Sequence, residues 1–334
     1  MSGTDDGGRG PAASRLPDLS AAFPGPFPVS PHAADVAGHL EQWLGKHPLI
    51  ESERARAALC DITGHGVART FPGADPAGLE LTGDLLLWLT AFDDAHGEAA
   101  GARDPAALVR RVADAVHVLD GRRPPFEADV FGTALADVVG RLRERAAPER
   151  FLRVAVAVRD SLYGLVWEAH ELAAGGRVSV ARYRAMRPDT VFVRTVASLA
   201  EPVLGYELPP AERESEAVRD LESAVSGLAG SINDLASYQR EKVRAGGAEP
   251  FSLPTLLAAE EGCGSEEAFA GVAALCEADA ARARRRIAQL TQPDPGRPAA
   301  VNAARAAHAR AWEGVAASYV WHIGHGRYGG SGSR

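Results

Sequence analysis

The stretch that most restricts the fold runs from Val218 to Glu241. Val218, Leu221, Val225, Leu228, Ile232 and Leu235 recur at alternating three- and four-residue steps, which marks a helix with one core-facing stripe. On another face Ser226, Ala229 and Gly230 are small and should leave space above Asn233. Asn233, Ser237 and Glu241 then follow at i, i+4 and i+8, so they stack along one side of the helix with little angular drift. An amide oxygen, a hydroxyl and a carboxylate on one inward face suit a hard divalent cation such as Mg²⁺. The alternative for the same three residues is a solvated polar face. A helix with one packed stripe and one small, then oxygen-rich, face is expected to line a cavity.

A second acidic cluster lies upstream. Leu85 to Phe92 is apolar almost without a break and runs straight into Asp93-Asp94-Ala-His-Gly-Glu98. Adjacent carboxylates at the end of a buried helix are costly unless a cation or water neutralises them; a helix exit into solvent is the other reading. Neighbouring helical positions point about 100° apart, so Asp94 cannot share the contact of Asp93 and is expected to pair with an arginine instead. Glu98 can join Asp93 only if the helix breaks, and Gly97 allows a break. Asp234 is expected to point toward neighbouring helices, and His96 to lie at the rim.

The remainder of the chain reads as helices. A first helix opens at Pro31 with Ser30 as its N-cap, and others follow at roughly 50–70, 77–95, 104–119, 126–146, 149–173, 178–201, 211–243, 264–291 and 298–322. Pro or Gly marks each joint, as at Phe71-Pro-Gly, Gly175-Gly176, Pro209-Pro210 and Gly246-Gly247. No alternating strand pattern of useful length is present, so the fold class is all-α, a single helical bundle. Residues 1–30 form a Gly/Pro-rich lead, expected to be disordered and then extended; 31–328 form the domain; 329–334 form a flexible tail. The Gly-rich stretch 243–253 is either a connector or a closing loop.

Bulk properties exclude other classes. A net charge of −8 gives no basic surface for nucleic acid. There is no run of 18 apolar residues and no signal-peptide core, and the three cysteines (Cys60, Cys263, Cys276) form no CxxC pair, so the expected setting is a reducing cytoplasm without a membrane span or structural zinc.

Taken together, the two clusters resemble those of the bacterial class I terpene synthases. Asp93-Asp94-x-x-x-Glu98 is similar to that family's aspartate-rich motif, and Asn233-Asp234-x-x-Ser237-x-x-x-Glu241 is similar to its second motif, about 140 residues later. Arg187 stands 46 positions before Asn233, where the family carries a diphosphate-sensing arginine, and Arg327-Tyr328 match its terminal Arg-Tyr pair. The resemblance spans roughly residues 24–328. It implies a helical bundle around a central cavity and Mg²⁺-dependent ionisation of a linear prenyl diphosphate, farnesyl before geranylgeranyl, followed by cyclisation to a hydrocarbon or alcohol. It implies three Mg²⁺ ions, with Asp93 and Glu98 on one side and Asn233, Ser237 and Glu241 on the other. Arg187, Arg240, Arg327 and Tyr328 would grip the diphosphate. Asp93, Arg187, Asn233, Ser237, Glu241, Arg327 and Tyr328 are the expected catalytic set, and a homodimer is the one protein partner to test for. A chain-elongating prenyl diphosphate synthase would need a second aspartate-rich motif, and a silent helical scaffold would be expected to carry damaged metal motifs.

The chain departs from the family pattern in its expected pocket. Leu89 and Thr90 stand where aromatics are common, Val196 stands where some members carry Trp, and Thr190-Val191-Phe192 replaces a small or Gly-containing helix break. Leu89, Thr90, Val191, Val196 and Trp321 are the expected pocket wall, more aliphatic than aromatic and therefore roomier.

Overall fold

In the computed structural model, residues 16–122, 129–244 and 246–323 are described, apart from the side chains of Glu98 and Ala99. Local chemistry starts the helices. The side chains of Ser52, Asp75, Asp104, Asp129 and Ser179 each accept a hydrogen bond from a backbone N–H in the first turn they precede, and proline opens several first turns. The helices are α1 (Ala33–Lys46), α2 (Glu53–Thr70), α3 (Pro76–His96), α4 (Glu98–Arg103), α5 (Pro105–Leu119), α6 (Val130–Arg145), α7 (Pro148–Ala173), α8 (Val180–Thr190), α9 (Val193–Ser198), α10 (Ala200–Leu204), α11 (Pro210–Arg213), α12 (Glu216–Arg244), α13 (Leu253–Glu261), α14 (Ser265–Thr291) and α15 (Ala299–Ile323). Among the described residues there is no strand.

Two apolar cores hold the bundle together. One is built mainly from α1 to α7, with Trp88, Phe92 and Leu135 fully buried. The other is built from α12 to α15, where Val218, Leu221, Val225, Leu228 and Ile232 pack as the periodicity requires. α9 joins them: Val193 belongs to the second core and Val196 to the first. A cavity of about 540 Å³ lies between the two halves, walled by α2, α3, α7, α8, α9, α12 and α15. That volume falls within the range of about 300–1,000 Å³ usual for small-molecule sites.

The structure differs from the sequence reading in six places: α4 lies where no helix was expected, the expected 211–243 helix is broken into α11 and α12, and four further differences follow. Residues 178–201 form three pieces instead of one helix. The chain leaves α8 at Val191, and Phe192 adopts a left-handed conformation (φ 60°) before α9 begins. The 243–253 loop leads into a further helix, α13, which had no expectation attached. Ser30 does not cap α1: the helix begins at Ala33, and the Ser30 hydroxyl accepts instead from the His32 N–H, in the turn before it. Within the N-terminal lead, Leu19 and Phe23 are buried against the second core, so the segment from residue 16 onward is tied down; residues 1–15 lie outside the described part.

Candidate active site

α12 delivers its oxygen-bearing residues to one end of the cavity. Asn233 and Glu241 line it, together with Ala236, Arg240 and Arg244. Ser237 lies between Asn233 and Glu241, fully buried, and its Oγ has no hydrogen-bond partner. A buried hydroxyl without a partner costs about 1–3 kcal/mol. An orphaned hydroxyl flanked one turn away on each side by an amide oxygen and a carboxylate is a donor set that fits a hard cation. Among the described residues no group of three or more His, Cys, Asp and Glu side chains could hold a metal by itself. The set on α12 depends on an amide and a hydroxyl for two of its three oxygens.

Across from α12, the end of α3 supplies the carboxylates. Leu86, Thr90, Asp93 and Asp94 line the cavity. The helix ends at His96, and Gly97 leaves it with extended ψ (−148°), so the break that Glu98 would need is present. A Cβ at residue 97 would stand 2.1 Å from Asp93 Oδ1, so only glycine leaves that carboxylate where it is. Asp94 lies 3.9 Å from the Arg244 guanidinium, an arginine one turn beyond Glu241 that the sequence reading did not single out.

Arg187, from α8, is the most heavily engaged cation of the site. Its Nε donates to Asp234 Oδ1 at 2.8 Å, its Nη2 to Asn233 Oδ1 at 2.8 Å, and its Nη1 to Thr190 Oγ1 at 3.0 Å. Glu168 Oε2 of α7 lies 3.8 Å from Nη1. Burial alone would lower the pKa of Arg187; Asp234, Tyr183, Glu168 and Glu241 outweigh it and hold the guanidinium charged, well above its ordinary range. Asp234 points away from the cavity, and its other oxygen accepts from the Leu253 N–H at 2.8 Å, so one buried carboxylate ties Arg187 to the start of α13.

The small face of α12 serves a different purpose from the one expected. It does not leave open space: a Cβ on Gly230 would stand 2.9 Å from Arg187 Cγ, so the glycine makes room for the arginine's stem. Ser226 faces a separate crevice beside Tyr206 and His308.

The expected wall is partly corrected. Thr90, Val191 and Val196 line the cavity. Leu89 does not; it points about 60° away from Leu86 around α3 and is fully buried in the first core. Trp321 is also absent from the wall, because it packs on α2, its ring 4.0 Å under the Arg69 guanidinium. From α15 it is Tyr319, the other aromatic candidate near Trp321 in the sequence, that lines the cavity, together with His322. His96 is not at the rim but packs edge-on against Phe92 and Phe131, and burial lowers its pKa. Arg327 and Tyr328 lie outside the described residues, as does the Glu98 side chain. Glu168 was missed: it is one of four carboxylates on the amphipathic α7, and nothing in their spacing singles it out.

The comparisons with known proteins meet this geometry. The family model described as terpene synthase family 2, C-terminal metal binding, matches residues 84–282, which contain both motifs and Arg187. The chain belongs to the terpene synthase family. It is a bacterial-type class I synthase, and therefore a lyase that acts on prenyl diphosphates. The synthase is 53% identical to a (12E)-labda-8(17),12,14-triene synthase of Streptomyces anulatus over 95% of this chain and 96% of that one. It is 36% identical to a labda-7,13(16),14-triene synthase of Streptomyces clavuligerus, over 85% and 83% of the two chains. Among solved structures, a cucumene synthase variant superposes with a TM-score of 0.78 at 25% identity, covering 92% of this chain and 99% of that one. A linalool/nerolidol synthase from Streptomyces clavuligerus superposes with a TM-score of 0.75, covering 90% and 98%; at 24% identity it speaks for the shared fold alone. Among the described residues no helix of the synthase is long and apolar enough to cross a membrane.

Proposed function

We propose that the synthase ionises a C20 allylic diphosphate that already carries a bicyclic labdane ring system, and ends the reaction by losing a proton. The product named for two relatives has a conjugated 12,14-diene in its side chain and an exocyclic double bond on the rings. Departure of diphosphate from an allylic C15 leaves a cation spread over C13 to C15. Loss of a proton from C12 then gives that diene and leaves the rings untouched. Such a reaction asks the cavity to hold a preformed hydrocarbon dry, not to steer a cation through successive ring closures.

The observation that carries this reading is the cavity wall. Leu59, Ile62, Leu86, Val191 and Val196 make it aliphatic, while Phe192, Phe251 and Tyr319 are the aromatic side chains among its described residues. Aromatic faces stabilise a migrating cation; a short-lived allylic cation resolved by one deprotonation needs few of them.

Asp93 and Glu98 on one side and Asn233, Ser237 and Glu241 on the other would hold three Mg²⁺ ions. When bound, Mg²⁺ supplies Lewis-acid neutralisation of the leaving diphosphate. Arg187 and Arg240, with Arg327 and Tyr328, grip the diphosphate oxygens; a guanidinium fork matches them in geometry as well as charge. Glu168 and Asp234 hold Arg187 in place between turnovers.

Parallel incubations with a bicyclic labdadienyl diphosphate, geranylgeranyl diphosphate and farnesyl diphosphate, each with Mg²⁺ and analysed by gas chromatography with mass detection, test the substrate. A labdatriene from the bicyclic diphosphate, with little turnover of the others, is the expected result. Efficient cyclisation of either linear substrate would replace the bicyclic reading.

A further inference from the structure

Six hydroxyl-bearing side chains line the cavity: Thr63, Thr70, Thr90, Thr190, Ser318 and Tyr319. Five spend their hydrogen on backbone carbonyls. Thr70 and Ser318 both donate to Gly66 O, at 3.0 and 3.1 Å, Thr90 to Leu86 O at 2.9 Å, Thr190 to Arg187 O at 3.3 Å, and Tyr319 to Val191 O at 2.9 Å. Thr63 makes no hydrogen bond to any described residue, although it is only 4% exposed. The hydroxyl itself is not fully enclosed: it opens onto the cavity and can donate to a group held there.

The surroundings of Thr63 supply a second observation. Gly66 lies one turn further along the same face of α2 and also lines the cavity. A Cβ there would stand 3.2 Å from His322 Nε2, so the glycine gives the imidazole a seat against the helix. Thr63, Gly66 and His322 therefore make a small polar notch in a wall whose neighbours, Leu59 and Ile62, are aliphatic. The notch is set apart from the carboxylates. With α2 and α3 joined by the short turn 71–75 as a helical hairpin, Thr63 falls level with about residue 83 of α3, nearly three turns from Asp93 near its far end.

We propose that the notch is an oxygen subsite: the Thr63 hydroxyl donates a hydrogen bond to an oxygen held against Gly66, away from the diphosphate. The inference rests on the C20 bicyclic reading for its substrate. The oxygen comes from a hydroxyl on the ring system of the substrate or from a trapped water. In the second case the water oxygen forms a C–O bond to C13 of the allylic cation, its proton passes to the His322 imidazole at the notch, and the product is an alcohol.

Thr63→Val keeps the shape of the side chain and removes the donor; Gly66→Ala fills the notch and presses on His322. Two bicyclic C20 diphosphates are compared, alike except that one carries a ring hydroxyl where the other carries an exocyclic alkene. If the ring hydroxyl is the source, the ratio of kcat/KM for the hydroxylated over the alkene substrate falls about five- to tenfold in Thr63→Val, and Gly66→Ala moves it the same way. If water is the source, wild-type enzyme in H₂¹⁸O gives a labelled alcohol fraction that falls by a similar factor in Thr63→Val. Thermal midpoints of all three proteins check that the fold is kept. A substrate ratio and an alcohol fraction both unmoved by Thr63→Val would overturn the proposal. So would weaker binding of inorganic diphosphate with Mg²⁺, which would put Thr63 in the diphosphate grip. If wild-type enzyme turns over neither bicyclic substrate, the substrate reading fails by itself, and the isotope comparison on whichever diphosphate is accepted still decides the role of Thr63.

Discussion

α12 and the segment from α8 to α10 face one another beside the cavity and are built in opposite ways. α12 is one unbroken helix from Glu216 to Arg244, held by a continuous apolar stripe, and it presents its functional oxygens by regular four-residue spacing. The facing segment is three short helices. It turns at Phe192, a bulky residue in the left-handed region, with Pro188 one turn earlier inside α8. A left-handed non-glycine residue costs on the order of 1–2 kcal/mol, so the break has to be held from outside. Tyr319 of α15 does so by donating to Val191 O, and the buried Phe192 ring adds packing. A site wall can thus be placed either by helical periodicity or by contacts from elsewhere in the fold, and only the first leaves a readable pattern.

The largest expected effect separates chemistry from scaffold on α12. Asn233→Ala and Glu241→Ala should each lower turnover by roughly two to three orders of magnitude or more, while the thermal midpoint stays close to that of the wild type in Glu241→Ala and falls only modestly in Asn233→Ala, which also removes one acceptor from Arg187; neither side chain belongs to the apolar stripe. Wild-type turnover in both would break the contrast at its functional end.

Next comes Asp234, which belongs to α12 but serves the facing wall. Asp234→Ala leaves Arg187 without its closest carboxylate and Leu253 N–H without an acceptor. Removing one member of a buried ion pair costs about 3–5 kcal/mol, measurable by denaturant unfolding. A loss below about 1 kcal/mol would show that Glu168 and Glu241 suffice to hold Arg187.

Tyr319→Phe tests whether the break is pinned from outside. Losing one hydrogen bond to Val191 O should cost about 1 kcal/mol. No change in stability would mean that packing of Phe192 alone holds the left-handed turn.

The smallest effect concerns pH. Burial raises the Asp189 carboxyl above its ordinary 3.8, with Arg194 pulling it back. The folded chain therefore keeps this proton at pH values where the unfolded chain has released it. The contribution of Asp189 is full below 3.8 and declines as pH rises through the raised value. Asp189→Asn should remove that decline from a plot of stability against pH; an identical slope in both proteins would show that Arg194 neutralises the carboxylate completely.

The sequence by itself determined the all-α class, the core-facing stripe of α12 and the oxygen-bearing residue types along its cavity side. Each follows from local rules: a stripe at three- and four-residue steps, capping residues, and oxygen donors one turn apart. Gly97 was also legible, because a break between Asp93 and Glu98 calls for a residue without a side chain at that point. Only the tertiary structure decided that Leu89 packs in the core while Leu86 joins the expected Thr90 in the wall, because a rotation of tens of degrees about a helix axis is set by neighbouring helices. It alone placed Arg187 over Gly230, turning an expected void into a seat for a cation, and brought Glu168 of α7 within reach of it. It alone set Thr63 beside Gly66 and His322. Those contacts join residues far apart in the chain, and no spacing along one helix encodes them.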